Sequence, residues 1–218
     1  MRLILNVIFY LTAKIIVLVL GLRIRHRERL PTNGPAIIVA NHNSHLDTIV
    51  LFSLFPLSMM RHLRPLANEQ YFLNQNPCLA WFARHILHII PVSSDANAGS
   101  CCDRHGAHRN FFKSCATALA EKQILILYPE GTRGTPEHLS EFRTGIVHLA
   151  KLNPDVPIVP IFLHGLGKAL PKGDFLIVPL LCWICIGESM YWNGQKQGFL
   201  QQLSDRIQAL SDERMLSF

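Results

Sequence analysis

Apolar positions along this chain follow two rhythms. Short, unbroken runs rich in β-branched residues recur: AIIVA at 36–40, ILIL within QILILYPEG at 123–131, PIVPIFLHG at 157–165 and FLIVPLLCWICIG at 175–187. Runs of that length, bounded by Gly, Pro or polar turns, read as buried strands. RPLAN at 64–68 and LHIIPV at 87–92 are shorter strand candidates. Between them the spacing turns helical: from about Ser44 to Phe55, over PCLAWFARHI with Pro77 at its start, from about residue 107 to Glu121, and over GFLQQLSDRIQAL at 198–210. Residues 93–106, SSDANAGSCCDRHG, are polar enough to predict a loop. Strands alternating with helices predict an α/β fold, a single domain with a mostly buried sheet flanked by helices.

The first thirty residues break this rhythm. LILNVIFYLTAKIIVLVLGL, residues 3–22, is apolar almost throughout, interrupted by Asn6 and Lys14. Twenty helical residues cover about 30 Å, a bilayer's hydrocarbon thickness. A lysine near the middle of a span costs about 3 kcal/mol, so an in-plane helix competes with a spanning one. RIRHRER follows at once, with no small-residue cleavage site between, which argues against a removed signal peptide. The expected organisation is therefore a hydrophobic membrane anchor with a basic juxtamembrane segment at 1–29, the turn cluster LPTNGP, and a domain over 30–218. Basic residues behind the anchor place that domain on the cytoplasmic face of the cell membrane, single-pass or monotopic.

Composition sharpens this. Of 218 residues, 49% are hydrophobic and 17% charged, with a net charge of +6. Residues 1–30 carry six basic groups against Glu28 alone, and the other 188 residues are nearly balanced, with fifteen basic and fourteen acidic. Charge gathered beside an apolar segment suits an anionic bilayer surface better than a nucleic-acid groove, and no nucleic-acid partner is expected. Six cysteines show no disulfide-framework spacing, and the single CxxC, Cys182 and Cys185, lies in an apolar run without further metal ligands. No metal is expected.

Two polar stretches interrupt the strand–helix junctions. In ANHNSHLDTIV at 40–50, His42 and Asp47 are five residues apart, out of phase within one helix but able to meet if His42 lies in the loop before it. Ser44-x-x-Asp47 is a capping-box pattern, so Asp47 either caps the helix or serves His42. In LYPEGTRG at 127–134, two glycines allow a tight turn and Arg133 offers a planar fork suited to phosphate, while Glu130 sits close to an apolar strand end. A solvated Glu–Arg turn is the plain alternative. No phosphate-binding GxxxxGK[ST] loop and no GxSxG nucleophile elbow is present.

Together these stretches resemble the glycerolipid acyltransferase family with the HX4D motif, the 1-acyl-sn-glycerol-3-phosphate acyltransferase-like group. NHNSHLD matches NHxxxxD through His42 and Asp47, YPEGTRG matches FPEGTRS with Tyr128 and Gly134 substituted, FRTG at 142–145 resembles the phenylalanine–basic–x–glycine that follows, and VPIVPIFLHG resembles a fourth block. The resemblance runs from about residue 30 to 165. One block departs: where the family usually carries an arginine after the strand at LHIIPV, this chain has Ser93, Ser94 and Asp95. Arg104 or Arg109 could substitute if the loop folds back.

The resemblance implies a glycerol-phosphate acyltransferase-like fold and transfer of a fatty acyl group from acyl-CoA or acyl carrier protein to a lyso-lipid hydroxyl, foremost that of 1-acylglycerol 3-phosphate. His42 is then the general base and Asp47 its orienting partner, and Glu130, Gly131, Thr132 and Arg133 bind the acceptor. No cofactor is implied, and the partners are the bilayer, the lyso-lipid and the acyl donor. The rivals are a different lyso-lipid or hydroxylated acceptor, a thioesterase in which water replaces the acceptor, and a non-catalytic membrane protein on the same fold.

Overall fold

Each apolar run expected to be a strand contributes to the sheet. The computed structural model describes residues 2–70, 76–92, 101–134, 138–171, 174 and 176–215. Among these, β1 (Arg23–Arg25), β2 (Ala36–Ala40), β3 (Leu63–Asn68), β4 (Ile90–Val92), β5 (Ile124–Leu127), β6 (Ile158–His164) and β7 (Trp183–Ile186) form one mixed sheet in the order β1-β7-β6-β2-β5-β3-β4. β2 is central and parallel to both β5 and β6. β3 and β4 continue the parallel array on one side. On the other, β7 runs antiparallel to β6 and β1 pairs parallel with β7 at the edge.

β2 reads AIIVA because neither face meets water. Ala36, Ile38 and Ala40 enter one core, and Ile37 and Val39 enter the other, the period-2 alternation of a strand covered on both sides. The first core is closed by α1 (Arg2–Val19) and α2 (Leu46–Ser53), with α3 (Pro77–His85) beside them. The second is closed by α4 (Cys101–Ala120), α5 (Gly145–Leu152) and α7 (Lys196–Met215). A short α6 (Leu166–Ala169) follows β6. α3 starts as its sequence predicts: Asn76 Oδ1 accepts the Cys78 amide at 2.8 Å, with Pro77 in the first turn where its missing N–H costs nothing.

Three expectations shift. α4 begins at Cys101, inside the stretch expected to be a loop, and residues 93–100 lie outside the described residues. Polar composition alone does not separate an exposed helical turn from a loop. Within FLIVPLLCWICIG only Trp183–Ile186 is strand. Pro179 offers no amide, the Val178 amide bonds Ala169 O instead of a neighbouring strand, and Leu176 is left 78% exposed. RIRHRER, expected as a basic segment ahead of the domain, joins the sheet. It supplies β1, whose Arg23 and Arg25 guanidiniums lie 5.0 and 5.7 Å from the Trp183 ring centre, while His26 reaches Glu213 at 2.8 Å.

α1 has two apolar faces. Phe9, Tyr10, Ala13, Ile16, Val17 and Leu20 pack inward, and Phe9 meets Phe52 and Phe82 edge-on at 5.8 and 5.6 Å. Ile4, Ile8, Leu11, Ile15, Leu18 and Val19 face outward, Ile4 being 63% and Leu18 80% exposed. Lys14, the residue that interrupts the apolar run, donates from Nζ to Ser53 O at 2.9 Å, and Arg27 donates to Leu54 O at 3.2 Å. Two cations thus sit at the C-terminal end of α2, where the helix dipole is negative. Among the described residues no helix is long and apolar enough to cross a membrane.

Candidate active site

Because β2, β5 and β6 are parallel neighbours, their C-terminal ends share one edge of the sheet, where ligand sites of α/β folds form. Register brings Val39 level with Leu127 and Ala40 level with Ile161, so the chain leaving β2 at Asn41–Asp47 meets the chain leaving β5 at Tyr128–Gly134. Asn41 fixes the first loop to β6: its amide donates to Leu163 O at 2.8 Å and its carbonyl accepts the Leu163 amide at 2.7 Å.

His42 and Asp47 meet. His42 Nδ1 lies 2.9 Å from Asp47 Oδ2, and the same oxygen accepts the Asn43 and Ser44 amides at 2.7 and 2.9 Å. An oxygen already accepting two backbone N–H groups can only accept from the ring, so Nδ1 carries the proton and Nε2 presents a lone pair. Asp47 is 0% exposed and His42 partly exposed, the order expected of an orienting carboxylate behind a working imidazole. Asp47 thus accepts backbone amides ahead of α2 and contacts His42 with the same oxygen. The cap itself differs from expectation. α2 starts at Leu46 with His45 in the capping position, and Ser44 Oγ accepts the Leu46 amide at 3.3 Å while donating to Leu170 O at 2.9 Å. Only the Asp47-to-Ser44 half of the capping box forms, because the Ser44 hydroxyl is engaged with the turn after α6.

The second loop hangs on the first. The His42 amide donates to Glu130 Oε1 at 3.0 Å and the Gly134 amide donates to His42 O at 3.0 Å, so both backbone groups of His42 are held by this loop. Glu130 is 4% exposed, and burial pushes its carboxyl above the usual range, with the His42 amide and Ser140 acting in the opposite direction. Its Oε2 makes no hydrogen bond of good geometry among the described residues, so the Ser140 contribution is a near approach only. Gly131 needs its glycine: φ is +74°, and a β-carbon there would fall 2.5 Å from Arg143 Nε. Thr132 is exposed and Arg133 partly so.

The Tyr128 ring stacks on His42, centroids 4.2 Å apart and planes at 20°, and its hydroxyl reaches Thr48 Oγ1 on α2 at 2.8 Å. Burial, reinforced by the Asp47 charge, holds the phenol well above its ordinary pKa, so it stays neutral. His45 is exposed at the rim, yet partial burial of its ring, then the Arg133 charge and the neighbouring His42, lower its pKa from 6.5 to about 4. The Arg133 charge is therefore felt at His45. Cys182, raised to about 11 by burial and then by Asp47, stays a thiol. Cys182 and Cys185 are buried in the sheet as packing residues.

Of the residues expected from the sequence, His42, Asp47 and Glu130 are joined by hydrogen bonds, and Gly131, Thr132 and Arg133 follow on the adjoining turn. Arg109 is exposed on α4 and makes no hydrogen bond or ion pair among the described residues, and the Arg104 side chain lies outside them. Asn41 and Tyr128 had no assigned role in the sequence reading. Their signal was present in position: one flanks the histidine, and the other carries a hydroxyl where the family motif has phenylalanine.

An Asp–His pair, Asp47 buried and His42 partly exposed, thus sits where β2 and β5 end, and the acyltransferase family model matches residues 21–164. The chain belongs to that acyltransferase family. Among its relatives are the 1-acyl-sn-glycerol-3-phosphate acyltransferase of Limnanthes douglasii, 29% identical over 80% of this chain and 57% of that one, and the alpha enzyme of Ovis aries, 24% identical over 86% and 61%. The chain thus spans about three-fifths of the length of these curated relatives. The crystal structure of the 1-acyl-sn-glycerophosphate acyltransferase from Thermotoga maritima superposes with a TM-score of 0.72, covering 97% of this chain and 81% of that one at 18% identity, a likeness of fold.

Proposed function

We propose that this protein is a membrane-associated 1-acylglycerol-3-phosphate acyltransferase of phospholipid synthesis. The observation that carries the reading is the His42 Nδ1–Asp47 Oδ2 contact of 2.9 Å, in which Asp47 also takes two backbone amides. His42 Nε2 accepts the proton of the acceptor's free hydroxyl as that oxygen attacks the thioester carbonyl. Asp47 holds the tautomer and stabilises the imidazolium. When the tetrahedral intermediate collapses, the C–S bond breaks and Nε2–H returns its proton to the departing thiolate. The new ester and the free thiol leave with His42 neutral again. No nucleophile of the enzyme is needed, in keeping with a thiol, not a thiolate, at Cys182. The Glu130–Arg133 turn receives the acceptor head group, with Glu130 bracing His42 and Arg133 facing the phosphate.

Membrane association rests on α1. Its outward face of Ile4, Ile8, Leu11, Ile15, Leu18 and Val19 is too large an apolar stripe to leave in water. With its inward face packed on α2, the helix suits an in-plane position at the bilayer surface, where the acceptor resides. Exposed Leu181 extends the stripe, since the Cys182 amide approaches Leu20 O at 3.4 Å and Leu181 packs beside Gly21.

Purified protein supplied with long-chain acyl-CoA should release thiol only when acylglycerol phosphate is present, and should form phosphatidic acid by mass spectrometry. Release with another lyso-lipid alone would move the acceptor and keep the chemistry. Release without any acceptor would make the protein a thioesterase. Acyl carrier protein as donor is the companion arm, and silence with both donors would sink the catalytic reading in favour of a non-catalytic role.

A further inference from the structure

The second loop carries a cation that the foregoing does not use. Arg143 lies thirteen residues after Glu130, yet its side chain runs directly across Gly131. A β-carbon at 131 would fall 2.5 Å from Arg143 Nε, 2.7 Å from Cδ and 2.9 Å from Cζ. The root of this side chain is fixed on three sides. The Arg143 amide donates to Pro129 O at 2.8 Å, Phe142 before it packs into the second core, and Thr144 after it opens α5. A guanidinium so held is ordinarily explained by an acid beside it. Arg143 is exposed and, among the described residues, has no hydrogen bond or ion pair from its side chain. Glu130, buried at the start of the turn, accepts the His42 amide. The turn therefore carries two arginines, Arg133 two residues after Gly131 and Arg143 lying across it. A phosphate dianion bound at Gly131 would be attracted by both.

We propose that Arg143 is a second guanidinium of the acceptor's phosphate site, gripping the phosphomonoester from the opposite side of Gly131 to Arg133 and so selecting acceptors that carry one. The inference rests on the reading of this turn as the head-group site. It gives that site a pair of planar forks, which together match the geometry of a phosphate better than one fork with a point charge. It also assigns Gly131 a purpose beyond turn geometry: any side chain there displaces Arg143. Arg109 has no such contact with the turn.

The test compares wild type, Arg143→Gln, Arg143→Lys and Arg109→Gln in the acyl-CoA thiol-release assay, varying acylglycerol phosphate and donor separately, with thermal midpoints recorded for each. Arg143→Gln should raise the acceptor KM about tenfold while the donor KM stays within about twofold. Arg143→Lys should recover part of that loss, and Arg109→Gln should behave as wild type. An unchanged acceptor KM in Arg143→Gln overturns the proposal. So does a fall in kcat with both KM values unmoved, or a loss that Lys does not relieve, since either marks Arg143 as a brace of the loop. A wild type that ignores acylglycerol phosphate removes the head-group reading itself, and this inference with it, a failure visible before any variant is made.

Discussion

The two loops at the C-terminal edge of the sheet are built to opposite specifications. The loop from Asn41 to Asp47 is largely buried and ties itself down, with Asn41 on β6, three donors on one Asp47 oxygen, and Ser44 on Leu170. The turn from Glu130 to Gly134 is exposed at Gly131 and Thr132, and takes its fixed points from His42. The two loops are joined at the His42 amide and carbonyl. On the function proposed, the first loop places a proton-transfer group, which must be fixed to within a fraction of an ångström, so closed and over-determined surroundings suit it. The second would receive a head group, and an open turn suits a ligand that must enter and leave.

The sharpest way to break this comparison is at His42. His42→Ala should lower kcat by about 10²–10⁴-fold with little change in acceptor KM, the scale of positioned base catalysis. Turnover near wild type in the purified variant would dismiss the base assignment. Asp47→Asn should follow closely in kcat, because an amide can present N–H to Nδ1 and favour the wrong tautomer. Unlike His42→Ala, it should also lower the denaturant midpoint, since Oδ2 holds two backbone amides that are otherwise buried.

In the open loop the effect should change kind. Arg133→Ala should raise acceptor KM about tenfold, equivalent to about 1.4 kcal/mol of binding, with kcat reduced far less. A pure kcat effect would mean that the two loops are not divided as described. At the far end of α2, Lys14→Met keeps the apolar packing but removes the donor to Ser53 O. It should cost about 1 kcal/mol of stability and leave KM unchanged, a difference readable from denaturant midpoints.

The smallest effect concerns His45, at the join of the two loops. Its pKa falls from 6.5 to about 4 on folding, so between those values the unfolded chain binds the additional proton. The stability tied to this group is present above pH 6.5 and lost as the pH falls through 4. His45→Gln should therefore lose less stability than wild type between pH 6.5 and 4. Parallel loss in the two proteins would show that Arg133 and burial do not reach this ring. Because His45 is exposed at the rim, solvent screening keeps the difference small.

Much of this site was legible in one dimension because its chemistry is local. The five-residue spacing from His42 to Asp47, with Ser44 between, already required a loop-to-helix junction, and the apolar runs before His42 and Tyr128 already required strands. The capping detail was not legible. Whether Ser44 Oγ serves α2 alone depends on Leu170, 126 residues away.

The longer-range features follow the same division. Residues 3–22 are apolar on every side, so their pattern carries no information about which face is buried. Only packing on Phe52 and Phe82 decided that Phe9 turns inward and Leu18 outward. Lys14 looked like a defect in an anchor because its acceptor, Ser53 O, is a backbone atom thirty-nine residues on. The sequence by itself determined the strands, the meeting of His42 with Asp47 and the turn beside them, since periodicity and spacing are properties of neighbours. The tertiary structure alone decided what stacks on His42, what caps α2 and which cations flank Gly131, because backbone carbonyls and ring faces leave no mark in a sequence until the fold brings them together.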